Sequence, residues 1–190
     1  MNPIILLDNG HGVDTPGKRS PIWSDGSQLF EFEFNRDIVK RIAFKLDNLG
    51  IRYEILVPEE TDISLAERVR RSKSYLDAIL ISVHSNAGGG TGFEIFTSPG
   101  QTKSDEIATL FLKECEKNFP EFKIRKDMSD GDPDKEAKFY ILTQTNGPAI
   151  LTENLFMDTE RDCRFLLTEE GRTRIANYHI NSISKFLSQG

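Results

Sequence analysis

The apolar residues of this chain fall into short continuous runs and longer spaced stripes. Residues 4–7 and 79–83 are nearly unbroken apolar runs, the second interrupted only by Ser82. Continuous apolarity of that length suits strands buried on both faces, as in the middle of an α/β sheet. Residues 52–57, edged by Pro58, and 149–152 read as further strands, and 92–97 as one with apolar and polar residues alternating. Residues 139–142 read the same way, followed by a Thr-Gln-Thr-Asn-Gly-Pro turn. The spaced stripes predict helices. Over 30–49, Asn35, Ile38, Ile42, Leu46 and Leu49 step by three and four, and Gly50 stands in the position that ends such a helix. Residues 64–76 place Leu65, Val69 and Ser72 inward beneath a basic, solvated face. Residues 104–119 bury Ile107, Leu110, Phe111 and Cys115 before Pro120. Helices over 162–167 and 171–187 close the chain, the last burying Ile175, Ile180, Ile183 and Leu187.

The stretches that fit neither pattern are loops. Residues 13–28 are rich in Gly, Pro, Ser and Asp around the lone Trp23, which either anchors the loop or lines a cleft, the anchor being preferred. Eleven of the 18 residues at 121–138 are charged, which predicts an exposed, mobile segment over one sheet edge.

Candidate chemistry sits where apolar runs stop. Residues 79–83 give way to His84-Ser85-Asn86 and three glycines, and residues 4–7 to Asp8-Asn9-Gly10-His11-Gly12. The carboxyl ends of strands are where open α/β sheets place ligands. A strand-end histidine can also do no more than hydrogen-bond its loop. The chain has three histidines, however, and two occupy equivalent strand-end positions, which a shared metal explains better than chance. The third, His179, falls within the last helix and is read as structural or exposed. A phosphate-binding loop at Gly10 is the competing idea, but the G-x-G-x-x-G pattern stops at Gly12.

A carboxylate completes the set. Continuing the stripe of the first helix back by four residues from Asn35 reaches Glu31, whereas Glu33 lies about 200° further round and groups with Asp37 and Lys40. An inward carboxylate must be paired or metal-bound. Two imidazoles and a carboxylate with an open position form a common catalytic zinc site. Glu153, at the end of another strand, suits a metal-free carboxylate that moves the proton in amide hydrolysis. The ligand spacings of 20 and 53 positions form no short motif that vouches for the metal on its own.

Composition narrows the setting. At 190 residues the chain, 1–190, is most simply one domain. Its net charge of −6 argues against a nucleic-acid partner, and no apolar run approaches the roughly 18 residues of a membrane helix. The N-terminal stretch has no basic region and no cleavage site, so it reads as a strand rather than a signal peptide. Cys115 and Cys163 lack metal-type spacing and are read as unpaired thiols.

The sequence resembles the zinc-dependent N-acetylmuramoyl-L-alanine amidases of peptidoglycan. Asp8-Asn9-Gly10-His11-Gly12 is similar to that family's D-x-G-H-G signature, and Glu31 with Asn35 to its helix-borne Glu and following Asn. Residues 81–87 resemble its S-x-H-x-N-A segment, 92–94 its G-x-E strand, and 148–153 its P-A-x-L-x-E run. The likeness implies one zinc per chain on His11, Glu31 and His84, with Glu153 as general base and acid. It implies a single α/β domain with a mainly parallel twisted sheet of about six strands flanked by helices on both faces. Three positions depart from the pattern: Asn9, usually Pro or Ala; Thr152, usually apolar, which softens a buried strand; and Asn154, usually Gly. None removes a ligand or base.

The implied reaction cuts the amide between the lactyl group of N-acetylmuramic acid and L-alanine. A zinc peptidase acting within a stem peptide or free peptide is a second reading, and a non-catalytic wall-binding protein a third. Peptidoglycan is the expected partner, with no nucleic acid, no membrane and no stated oligomer. A chain without an export signal resembles a phage-type lysin released from the cytoplasm, or a domain excised from a secreted protein.

Overall fold

The continuous apolar runs become strands because each feeds two cores at once. A computed structural model describes residues 2–189; Met1 and Gly190, within the expected domain 1–190, lie outside the described residues. The strands are β1 (Ile4–Asn9), β2 (Tyr53–Ile55), β3 (Ala78–Asn86), β4 (Glu94–Thr97), β5 (Lys135–Glu136) and β6 (Ala149–Phe156). The helices are α1 (Glu31–Leu49), α2 (Leu65–Ser72), α3 (Lys103–Asn118), α4 (Tyr140–Gln144), α5 (Glu160–Leu167) and α6 (Glu169–Ser188). The strands form one sheet in the order β2-β1-β3-β6-β4-β5, parallel throughout except for the antiparallel pair β4–β6. This is the single, mainly parallel α/β domain that the sequence implied.

Side chains alternate across the sheet. Ile5, Leu7, Ile79, Ile81, Val83 and Ile150 join the larger core with the inner faces of α1, α3 and α6. Leu6, Leu80, Ala149 and Leu151 join the smaller core with Val69 of α2 and with Ile141 and Leu142 of α4. The second layer is therefore short, and it leaves the carboxyl ends of β1, β3 and β6 uncovered on its side. Between β1 and β3 the chain changes direction across the sheet, because β2 lies on the other side of β1. Ligands bind at such switch points in open α/β sheets.

Several expectations need correction. Residues 139–142 do not form a strand: Tyr140–Gln144 is helix α4, with Ile141 and Leu142 buried but Phe139 and Tyr140 exposed. Four apolar residues fit one helical turn as well as a strand, and here only two of them are buried. Leu49 and Leu65 are exposed rather than inward, each at the end of its helix. On α2 the buried face is formed by Arg68, Val69 and Ser72, so the basic face is not wholly solvated. The segment 121–138 is largely exposed and covers a sheet edge, but it is pinned. It supplies β5, bridges Phe93 through Ile124, and sends Arg125 and Lys135 to Glu94.

Candidate active site

The loop after β1 is shaped by what it must avoid. A Cβ on Gly10 would fall 1.9 Å from the His84 ring, so only glycine lets the strand end pass beside that imidazole. His11 follows with φ 66, a left-handed conformation that costs a non-glycine residue about 1–3 kcal/mol. The first turns of α1 hold it there. Asn35 Nδ2 donates to the Gly10 carbonyl at 3.0 Å, and Arg36 Nη1 donates to the His11 carbonyl at 2.9 Å.

The structure brings His11, Glu31 and His84 together, with one donor atom from each within 4.8 Å of the others. Glu31 opens α1 fully buried, while Glu33 is exposed on the opposite face. Glu31 Oε1 lies 3.0 Å from His84 Nδ1 and 3.4 Å from His11 Nε2. Burial alone would raise the Glu31 carboxyl, but its contacts with His11 and His84 overcome this and hold it well below the usual range. Burial likewise disfavours charge on His84, and Glu31 outweighs it, so that imidazole is shifted upward. Glu31 Oε2 is buried without a hydrogen-bond partner.

The far side of the His84 ring is fixed by residues that sequence reasoning passed over. His84 Nε2 lies 3.1 Å from Ser82 Oγ, and Ser82 donates to Asp8 Oδ2 at 2.5 Å. With the hydroxyl proton committed to Asp8, Ser82 Oγ is left to accept from Nε2–H, so Nδ1 is the ring nitrogen that meets Glu31 and the cluster. A metal-ligating histidine is commonly oriented this way, through its other ring nitrogen. Asp8 is held in turn by the buried Arg68 at 2.6 Å, which also bonds Asp62 and the Ile63 carbonyl. The available signals were Ser82, which breaks an apolar run, and Asp8, which opens the D-x-G-H-G stretch.

Glu153 stands beside His84 in the β3–β6 register and opposite Glu94 on β4. Burial pushes its carboxyl up to about 7; the Glu31 charge adds to the push and His84 opposes it. Its Oε2 is buried and unpartnered. Glu94, by contrast, is neutralised by Arg125 and Lys135 and accepts from Asn86 Nδ2. His11, Ser82, His84 and Glu153 border a cavity of about 450 Å³, which Leu65, Phe139 and Tyr140 also line.

The other candidates are structural. His179 is fully buried, with burial lowering its imidazole to about 4. Its Nδ1 donates to the Ile175 carbonyl, and its Nε2 lies 3.0 Å from the Thr152 hydroxyl. Thr152 thus does more than soften a strand. Trp23 packs against the larger core with Nε1 donating to Cys163 Sγ, so it anchors its loop. Cys115 and Cys163 are buried free thiols.

Comparison with known proteins decides the family. The family model described as N-acetylmuramoyl-L-alanine amidase matches residues 5–185. The chain belongs to this amidase family. It is accordingly a hydrolase that cleaves a linear amide of peptidoglycan. The endolysin of Bacillus phage SPP1 is 30% identical over 198 residues, spanning 99% of this chain and 67% of the relative. The N-acetylmuramoyl-L-alanine amidase CwlM of Bacillus licheniformis is 28% identical, spanning 95% of this chain and 67% of that protein. An N-acetylmuramoyl-L-alanine amidase of Clostridium difficile 630 shares the fold, with a TM-score of 0.84 at 24% identity, over 98% of this chain and 97% of that one. Among the described residues, no helix of this amidase is long and apolar enough to cross a membrane.

Proposed function

We propose that the chain hydrolyses the bond between the lactyl carboxyl of N-acetylmuramic acid and L-alanine, using one zinc ion held by His11, Glu31 and His84. The observation that carries this reading is the convergence of two imidazoles and a buried carboxylate beside a second carboxyl raised to about 7. The donor set fits the metal. Three ligands of N and O type leave a position open for catalysis, and Glu31 Oε2 has no hydrogen-bond partner to compete for it. Bound there, zinc supplies Lewis acidity, which polarises a carbonyl oxygen and makes water a nucleophile near neutral pH.

The remaining chemistry belongs to the chain. Glu153 takes the proton of the attacking water and delivers it to the departing alanine nitrogen, a cycle that a carboxyl near pH 7 can run in both directions. The Asp8–Ser82 pair keeps His84 in one tautomer. Lys18, 3.8 Å from Glu31 Oε2, lines the same cleft and adds positive charge beside that carboxylate. Leu65, Phe139 and Tyr140 offer apolar contact to the substrate beyond the scissile bond.

Digestion of purified peptidoglycan, followed by mass spectrometry of the released ends, tests the reading. Free stem peptides beginning with L-alanine support it; cuts inside the stem would make the chain a peptidase, and no products a wall binder. Chelation should abolish the release and added zinc restore it.

A further inference from the structure

A second group of carboxylates lies away from this cleft. Because β4 runs antiparallel to β6, its Thr97 end points away from Glu153. There Asp105, in the first turn of α3, meets Asp132 and Asp134 from the acidic stretch before β5, with one carboxylate oxygen of each within 4.8 Å of the others. Asp134 is 2% exposed and Asp105 7%. Carboxylates so deeply buried are tolerated when paired with a cation or bound to a metal. Among the described residues, none of the three forms an ion pair with Lys, Arg or His. The flanking lysines are engaged elsewhere, Lys126 with Glu116 and Lys135 with Glu94.

Hydrogen bonds satisfy only part of the cluster. Thr97 Oγ1 donates to Asp134 Oδ2 at 2.6 Å, Gln101 Nε2 donates to Asp132 Oδ2 at 3.0 Å, and the Thr102 amide donates to Asp105. Asp134 Oδ1 and Asp132 Oδ1 are buried with no partner. Two orphaned anionic oxygens within one carboxylate cluster call for a ligand that accepts electron pairs.

We propose that Asp105, Asp132 and Asp134 bind a calcium ion, which fastens the acidic stretch 127–136 to the start of α3. An all-oxygen, all-carboxylate donor set selects a hard cation over zinc or copper. Calcium accepts six to eight oxygens in flexible geometry, which three carboxylates and water can supply, whereas magnesium demands a near-ideal octahedron. The ion would also steady Lys135, which follows Asp134 and neutralises Glu94 beside Glu153.

Calorimetric titration of the purified chain with calcium, in calcium-free buffer, tests this directly. One site with Kd of about 10⁻⁴–10⁻³ M is expected. At roughly 100-fold above Kd, calcium should raise Tm by about 5–10 °C, and magnesium by clearly less. Asp134→Asn should abolish the shift. Asp132→Asn, at the less buried position, should keep the fold and weaken binding about tenfold or more. No binding and no shift in the unaltered chain would overturn the proposal, as would a shift that survives in both variants. A rise in Tm of calcium-free Asp134→Asn, with the unaltered chain indifferent to calcium, would show that the carboxylates share a proton instead.

Discussion

The two faces of β6 at residue 153 carry polar groups a few ångströms apart and treat them in opposite ways. Glu153 points into the cleft, while Thr152 and Asn154 point under the sheet toward α6. On the α6 side the network is complete. Asn154 Nδ2 donates to the His84 carbonyl at 2.9 Å, its Oδ1 accepts from the Tyr178 hydroxyl at 2.7 Å, and Thr152 meets the neutral His179. On the cleft side Glu31 Oε2 and Glu153 Oε2 are buried without a hydrogen-bond partner. Buried polar groups are ordinarily satisfied, so the unsatisfied carboxylates of the cleft stand out against the fully satisfied network beneath β6. The two histidines repeat the contrast: Glu31 draws His84 toward the charged form, and burial holds His179 neutral.

Substitutions on the two faces should therefore separate activity from stability. The largest effect is expected from Glu153→Gln, which keeps size but cannot take a proton. Turnover should fall about 10²–10⁴-fold while zinc content and Tm are retained; rates within a few-fold of the unaltered enzyme would assign the proton to another group. Next comes the pH response of the α6 side. The His179 value of about 4 lies below the roughly 6.5 of an unfolded histidine, so its contribution is fully present above pH ~6.5 and fades as pH falls toward 4. The loss should be on the order of 3 kcal/mol. Urea unfolding at several pH values should show this fall, and His179→Gln should flatten it; an unchanged slope would mean that His179 does not carry it. The smallest effect is expected from Asn154→Gly, which removes the partner of the Tyr178 hydroxyl and costs about 1–3 kcal/mol. Its turnover at 25 °C should stay within a few-fold. A large drop in turnover with unchanged Tm would show that the α6 side shares in catalysis.

The residues that meet in this cleft stand at breaks in simple patterns, which is why the sequence could nominate them. His11, His84 and Glu153 each end an apolar run, and Glu31 continues a helical stripe, so period and position were enough to propose that they meet. Groups that act through distant partners were invisible. Arg68 looks like one of several surface arginines on α2 until β1 brings Asp8 to it from 60 positions away. The Asn154 departure was visible, but its meaning depends on Tyr178 of α6 lying beneath it. Residues 139–142 misled because four apolar residues carry no period, and the exposed pair Phe139 and Tyr140 faces the cavity rather than a core. The charged run 121–138 read as mobile from charge alone, whereas its Arg125 and Lys135 find the buried Glu94.

The central claim is that Glu31, and not its neighbour Glu33, completes the metal site with the two histidines. Equilibrium zinc titration of the unaltered chain, Glu31→Ala and Glu33→Ala tests it most directly. The account predicts one zinc per unaltered chain, a loss of about 10²-fold or more in affinity for Glu31→Ala, and full affinity for Glu33→Ala. Tight zinc binding by Glu31→Ala, or weakened binding by Glu33→Ala alone, would contradict it.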